Sequence, residues 1–123
     1  MSSRVEGVVE LGDERGRRLG FPTANLAVGA EVDLVDGVYS GEVELEDGTR
    51  HPAAISVGRR PHYYEAGKRL VEAYLLDFDG DLYGQNIEVD IGELIRAQRS
   101  FDSEDELVAQ IADDVAVVRR LQG

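Results

Sequence analysis

Residues 38–57 read VYSGEVELEDGTRHPAAISV and decide the fold class of this chain. In the first half, apolar and small residues alternate with polar ones, which is the period of two expected of a half-buried strand. In the second half, Ala53, Ile55 and Val57 repeat that period. Asp47 and Gly48 lie between the halves, and this pair favours a hairpin turn. The stretch therefore predicts two antiparallel strands joined by a tight turn.

Further segments with strand patterns flank this hairpin. Residues 4–11 are rich in valine, and residues 84–91 (GQNIEVDI) alternate between apolar and polar side chains. Residues 70–78 (LVEAYLLDF) are apolar on both faces, which is typical of a central strand. About six short strands are therefore expected along the chain.

The period changes after Phe101, where apolar residues recur at spacings of three and four, as on one face of a helix. Ser103 and Glu106 fit a capping box at the start of that helix. A short helical piece is also predicted within residues 93–99. The apolar stripe of the C-terminal helix consists of Leu107, Ile111, Val115, Val118 and Leu121.

These elements predict a mainly β protein, a small closed barrel with the terminal helix packed outside it. A length of 123 residues fits one domain, so a single domain over residues 1–123 is expected.

The composition limits the classes of partner. The formal charge is −12, from 13 basic and 25 acidic side chains. Such a balance argues against nucleic acid, whose phosphates must be neutralised by Lys and Arg, and equally against anionic membrane surfaces. Cysteine is absent, so disulfides and thiolate chemistry are excluded. No apolar run approaches the ~20 residues of a membrane span, and we expect a cytoplasmic protein that is a monomer.

Residues 11–26, LGDERGRRLGFPTANL, are the first candidate for a functional site. Glycine-rich backbone can present several N–H groups to an anion. Thr23 and Asn25 offer hard oxygen ligands from one side of an extended segment, and Mg²⁺ needs few protein ligands when it also bridges to phosphates. The alternative is an ordinary turn, in which Pro22 restricts the backbone and Thr and Asn bond locally.

Glu72 is the second candidate. By strand alternation it shares a face with Tyr74 and Leu76, so a carboxylate lies among apolar side chains. Removal of a carboxylate from water raises its pKa and makes it a stronger base, as proton abstraction from an alcohol requires. The alternative places Glu72 at a barrel end, paired with an arginine.

Two arginines and an aromatic residue follow the last predicted strand. Arg96 and Arg99 are suited either to surface ion pairs or to an anionic group of a ligand. Phe101 is suited either to filling the interface between barrel and helix or to stacking on a ligand. His51 and His62 stand apart from any Ser or Cys motif, so neither a metal cluster nor a catalytic triad is indicated.

Taken together, these segments resemble the riboflavin kinase (flavokinase) family, including the kinase module of bacterial bifunctional FAD synthetases. The resemblance covers nearly the whole chain and implies a six-stranded antiparallel Greek-key β-barrel with a C-terminal helix outside. Its most specific elements are PTAN, GVY, the VE strand that ends in LDF, and LYG. The matching segments are GVVELGDERGRRLGFPTANL, DGVYSGEV, AAISVGRRPHYY, LVEAYLLDF, DLYGQNIEV and IRAQRSFDSEDELVAQIADDV.

The resemblance implies an enzyme, a phosphotransferase with an alcohol acceptor that converts ATP and riboflavin to FMN and ADP with Mg²⁺ or another divalent metal. Thr23 and Asn25 match the metal and phosphate ligands of that family, and Glu72 matches its general base. Arg96 and Phe101 match residues near the flavin. The loop over the nucleotide corresponds to Gly12, Gly16, Arg17 and Gly20.

Two differences from the family pattern lie outside those residues. Pro61, His62 and Tyr63 stand where many bacterial members read P-T-F, and Gln98 and Ser100 stand near Phe101 where the family often has an acidic residue and a Lys. No counterpart of the adenylyltransferase domain is present, so FAD synthesis by this chain is not expected. Two other functions stay open: a non-catalytic flavin- or nucleotide-binding barrel, and a kinase for another flavin analogue or nucleotide donor.

Overall fold

The computed structural model describes residues 3–9, 23–28, 34–58, 69–76, 82–99 and 101–122. No helix among them is both long enough and apolar enough to cross a membrane. The elements, in chain order, are β1 (Ser3–Val8), β2 (Thr23–Val28), β3 (Gly37–Glu44), β4 (Arg50–Gly58), β5 (Arg69–Leu75), β6 (Asn86–Arg96) and α1 (Glu104–Gln122).

The six strands form one antiparallel sheet in the order β1-β6-β3-β4-β5-β2. This confirms the predicted mainly β fold with a C-terminal helix. The sheet curls, because side chains from both end strands enter one core, and a Cβ atom added to Gly7 of β1 would lie 3.6 Å from Leu26 of β2. Within the described ranges no ladder joins β1 to β2, so the predicted barrel takes the form of a curled sheet.

The hairpin between β3 and β4 forms as predicted. Leu45 accepts a hydrogen bond from Gly48 N–H and donates one to Thr49 O, both at 2.9 Å. Gly48 has φ of 86°, a conformation that glycine adopts without a steric penalty. The Asp47 carboxylate also accepts bonds from the Thr49 amide at 2.9 Å and from its hydroxyl at 2.6 Å. The turn chemistry therefore fixes the register of the two strands.

The short helical piece predicted within residues 93–99 is wrong, because β6 continues as a strand to Arg96. The register against β3 shifts in this region, and Leu94 and Arg96 still pair with β3. The Ser40 hydroxyl accepts a bond from the Glu93 amide at 3.2 Å. A side chain thus satisfies a backbone donor at the irregularity, which lets the strand continue where local pattern suggested a helix.

The two faces of the sheet carry different cores. The concave face holds the larger cluster, to which Ile55, Val71 and Ile87 contribute fully buried side chains. The convex face holds a smaller cluster, in which Tyr74 and Leu76 of the sheet pack with helix α1. The helix side of that cluster consists of Leu107, Ile111, Val115 and Val118, all members of the predicted apolar stripe.

An ion cluster links four strands at the surface, namely β1, β3, β4 and β6. Arg4 donates to the Asp90 carboxylate at 2.7 Å, and Arg50 reaches the same carboxylate at 2.6 Å and Glu44 at 3.0 Å. The Arg4 guanidinium, with Arg50 beside it, holds the pKa of the Asp90 carboxyl below its ordinary value. The charged form of Asp90 is therefore favoured by folding.

We expect Asp90→Asn to lower the free energy of unfolding by about 0.2–1 kcal/mol at pH 7, the range of exposed ion pairs. Because folding lowers this pKa, the contribution is present above the pKa of the unfolded chain and is lost as the pH falls through the folded value. Urea unfolding of both proteins at pH 7 and near pH 3 measures this. A difference that is as large at the lower pH would contradict the assignment.

Candidate functional site

One row of paired residues crosses the sheet and brings together candidates from distant parts of the sequence. Asn25 of β2 pairs with Glu72 of β5, and Glu72 pairs on its other side with Ser56 of β4. Ser56 pairs with Val38 of β3, and Val38 pairs with Arg96 of β6. We call these five positions the site row. Three of the residues predicted from sequence thus lie on one line.

Glu72 lies in the middle of β5 and is 3% exposed. Its neighbours Val71 and Ala73 belong to the concave core, whereas Tyr74 and Leu76, two and four positions on, pack with helix α1. Alternation therefore places Glu72 on the convex, helix-facing side of the sheet. Glu72 therefore faces the side of the sheet on which helix α1 packs, and it lies away from the two ends of its own strand.

Thr23 and Asn25 are backbone neighbours of the Glu72 strand. Thr23 pairs with Tyr74, and Asn25 pairs with Glu72 itself. The intervening Ala24 is buried in the concave core. The side chains of Thr23 and Asn25 lie outside the described part of the structure. The register alone places both positions beside the only buried acid of β5.

Gln98 holds the chain after β6 against the ends of β3 and β4. Its side-chain amide nitrogen lies 2.8 Å from Ser56 Oγ, 3.0 Å from Val57 O and 3.3 Å from Gly37 O. Gly37 and Val57 are themselves a cross-strand pair. Sequence reasoning assigned no function to Ser56 or Gln98. In the sequence, Ser56 is distinguished only by being a polar residue on the face of the strand opposite Ala53, Ile55 and Val57.

Arg96 forms a two-pronged ion pair with Asp114 of α1. Its Nε and Nη2 atoms donate to the two carboxylate oxygens at 2.9 and 2.8 Å, and Nη1 donates to Ala97 O at 3.1 Å. Gln110 donates to the same carboxylate at 3.1 Å. The two side chains of the pair are only 19% and 5% exposed. Arg96 thus contacts helix α1. Asp114 was not among the residues predicted from the sequence, because an acid beside an apolar stripe gives no indication of its partner.

Phe101 is half-buried just before α1. The Arg99 guanidinium carbon lies 4.9 Å from the centre of the Phe101 ring, and Arg99 also donates to Gln110 at 3.0 Å. A guanidinium over an aromatic face is a favourable contact. Phe101 and Arg99 are therefore connected to the same part of the helix as the Arg96–Asp114 pair.

The predicted nucleotide loop, with Gly12, Gly16, Arg17 and Gly20, lies outside the described residues.

The side chains available near Glu72 determine which kind of metal site the described residues could form. Within the described ranges, no group of three or more His, Asp or Glu side chains lies together as a metal site. Thr23 and Asn25 add two neutral oxygen donors next to Glu72 in register. Two neutral oxygens fit Mg²⁺, which keeps several waters and completes its shell with phosphate oxygens.

A sequence model of one protein family, flavokinase (riboflavin kinase), matches residues 1–122. The bifunctional riboflavin kinase/FMN adenylyltransferase of Escherichia coli K12 is 41% identical over 119 residues, which cover 97% of this chain and 38% of that protein. The RNA-binding riboflavin kinase RibR of Bacillus subtilis is 37% identical over 94% of this chain and 50% of that protein. The chain thus spans about two fifths to half the length of these relatives.

Two solved structures resemble the fold. The crystal structure of a riboflavin kinase from Trypanosoma brucei superposes with a TM-score of 0.65 and 28% identity, over 98% of this chain and 79% of that one. A crystal structure of a macrolide-efflux protein from Streptococcus pneumoniae superposes with a TM-score of 0.78 and 36% identity, over 94% of this chain and 38% of that one.

Proposed function

The chain belongs to the riboflavin kinase family, and from this premise we propose that it transfers the γ-phosphoryl group of ATP to the ribityl 5′-hydroxyl of riboflavin, giving FMN and ADP. The observation that carries the proposal is the pairing of Asn25 with the buried Glu72. This pairing joins a segment suited to metal and phosphate with a carboxylate suited to removing a proton.

Glu72 acts in this proposal as the general base. Its carboxylate accepts the proton of the 5′-hydroxyl as the hydroxyl oxygen bonds to the γ-phosphorus, and the bond from that phosphorus to the oxygen of ADP breaks. Phosphoryl transfer depends mostly on positioning and charge neutralisation, so the reaction requires no catalytic lysine. The positioning is supported by the burial of Glu72 and by its place on a strand that has a hydrogen-bonded neighbour on each side.

Thr23 and Asn25 would hold the divalent metal, which when bound neutralises charge on the β- and γ-phosphates. Neutral ligands suit this role, because they leave the positive charge of the ion available to the phosphates. A metal ion held in this way would also allow a chain of formal charge −12 to bind ATP, because the positive charge of the ion faces the phosphates. We assign the loop with Gly12, Gly16, Arg17 and Gly20 to the nucleotide on the resemblance alone.

Arg96 and Phe101 contribute to the flavin side of the site through helix α1. The bonds from Arg96 to Asp114 and Ala97 involve all three guanidinium nitrogens, so Arg96 positions the helix beside the site row. Phe101, with Arg99 over its ring, lies just before the first residue of α1.

Incubation of the protein with riboflavin, ATP and Mg²⁺, followed by chromatography of the flavins, tests the proposal. FMN should accumulate in proportion to enzyme and time. The absence of FMN above an enzyme-free control, with folded protein, would contradict it. Parallel reactions with other nucleotide donors and flavin analogues distinguish riboflavin kinase from a kinase of different substrate preference, and flavin binding without turnover would indicate a non-catalytic barrel.

We expect Asn25→Ala to lower kcat/KM for Mg²⁺·ATP by roughly 100-fold, since the loss of a residue that only supports a metal ligand already costs about 10–100-fold. Riboflavin affinity should change little. Steady-state rates at varied Mg²⁺·ATP and flavin fluorescence titrations measure the two effects. Asn86→Ala, which removes an exposed asparagine side chain from β6, is the matched control. A parallel loss of riboflavin affinity with an unchanged response to Mg²⁺·ATP would exclude a metal-ligand role.

A further inference from the structure

The orientation of the Gln98 side chain is determined by its partners. Gly37 O and Val57 O are backbone carbonyls, which only accept hydrogen bonds, so the amide nitrogen of Gln98 must face them. The shortest contact of that nitrogen is the 2.8 Å bond to Ser56 Oγ. Ser56 therefore acts as an acceptor toward Gln98.

The hydroxyl proton of Ser56 is left for another partner. A serine hydroxyl carries one donor and two lone pairs, and Gln98 engages one of the lone pairs. Among the residues that the structure describes, the structure shows no hydrogen bond donated by this hydroxyl. Ser56 is half-buried. Its hydroxyl is therefore oriented by the bond from Gln98 and is still accessible to a ligand.

The position of Ser56 in the site row suggests what that partner is. Glu72 lies between Asn25 on one side and Ser56 on the other. If the phosphate donor approaches from the Asn25 side, in-line transfer requires the rest of the acceptor molecule to extend away from it. The remainder of the acceptor chain then passes over Ser56, because neighbouring strands lie only about 4.8 Å apart.

We propose that Ser56, oriented by Gln98, donates a hydrogen bond to an internal hydroxyl of the substrate's polyhydroxylated chain, at the 3′ or 4′ carbon. The inference rests on the proposed function, since it takes Glu72 as the base and the Asn25 side as the phosphate side. It makes Ser56 a residue that distinguishes a polyol chain from a plain alkyl alcohol.

A comparison of two substrates tests this contact directly. Riboflavin carries internal hydroxyls, whereas a flavin with an unbranched 5-hydroxypentyl chain at N10 keeps only the terminal one. Ser56→Ala is expected to lower kcat/KM for riboflavin by about 10-fold, the effect of one lost hydrogen bond of about 1.4 kcal/mol. For the hydroxypentyl flavin, Ser56→Ala and the wild type should be equal within twofold.

Two further variants separate a substrate contact from a structural role. Ser56→Thr keeps the hydroxyl and should restore most of the preference for riboflavin. Gln98→Ala leaves the serine unoriented and should give an intermediate loss with riboflavin alone. Ser103→Ala is the control, because it removes a hydroxyl that accepts a hydrogen bond from the Glu106 amide at the start of α1. It should leave the ratio of kcat/KM between the two flavins unchanged. Dissociation constants from flavin fluorescence complete the comparison if the hydroxypentyl flavin reacts slowly.

Equal losses with both flavins on Ser56→Ala would overturn the inference, because Ser56 would then act on Glu72 or on the sheet. An unchanged rate and affinity with riboflavin would also overturn it. Failure of the proposed function has a different signature, since the wild type itself would then phosphorylate neither flavin.

Discussion

Glu72→Gln is expected to lower the rate of FMN formation by about 10²–10⁴-fold, the usual contribution of a positioned general base. Glutamine has nearly the same shape as glutamate but has no carboxylate to accept the proton of the 5′-hydroxyl. Because Glu72 is 3% exposed, water has little access to replace it as the base. Riboflavin affinity should change by less than about threefold, since the proposed role of this side chain lies in the reaction.

Single-turnover rates measured by chromatography, and flavin affinity measured by fluorescence, report on the two properties separately. Glu6→Gln is the matched control, because it makes the same chemical change on an exposed position of a strand. It should retain the wild-type rate. A Glu72→Gln variant that binds flavin poorly but turns over each bound flavin normally would exclude the general-base role.

Asp114→Ala is expected to lower the free energy of unfolding by about 3–5 kcal/mol, the range observed when one partner of a buried ion pair is removed. The substitution leaves the Arg96 guanidinium against the sheet with its side chain 19% exposed and no carboxylate to face. It also removes the acceptor of Gln110. The apolar stripe would then supply most of the attachment of helix α1 to the sheet.

Urea unfolding followed by circular dichroism measures this loss, and Asp113→Ala on the exposed side of the same helix is the control. The double variant Arg96→Met/Asp114→Leu should be more stable than Asp114→Ala, because it buries no unpaired charge. A loss for Asp114→Ala no greater than for Asp113→Ala would show that the ion pair contributes little.

The local structure of this chain was predictable because its signals are short in range. The alternation in residues 38–57 determines two strands and their buried faces, and Asp47 and Gly48 determine the turn between them. The apolar spacing after Phe101 likewise determines the face of α1 that packs on the sheet. Where the prediction failed, within residues 93–99, a register shift against β3 and the Ser40 hydroxyl keep the backbone extended.

The arrangement of the site was harder to predict from the sequence than the local structure, because it depends on pairings between distant segments. Residue type, strand pattern and family resemblance indicated Asn25, Glu72 and Arg96 as candidates. Nothing local indicates that β2 pairs with β5 or that these residues share one row. Ser56 and Gln98 carry no pattern that distinguishes them from ordinary polar residues. Their relation arises only when the chain after β6 folds over the ends of β3 and β4.

The position of β2 at the end of the sheet gives the two halves of the site different resistance to local unfolding. Among the described strands, β2 is hydrogen-bonded only to β5, whereas the strands of Glu72 and Ser56 each have two neighbours. Segments held by fewer contacts open at a lower free energy than the core. Stress that detaches β2 would displace Thr23 and Asn25, the proposed metal ligands, and leave Glu72 and Ser56 in the sheet. The proposed kinase activity is thus expected to be lost at a lower level of stress than the fold.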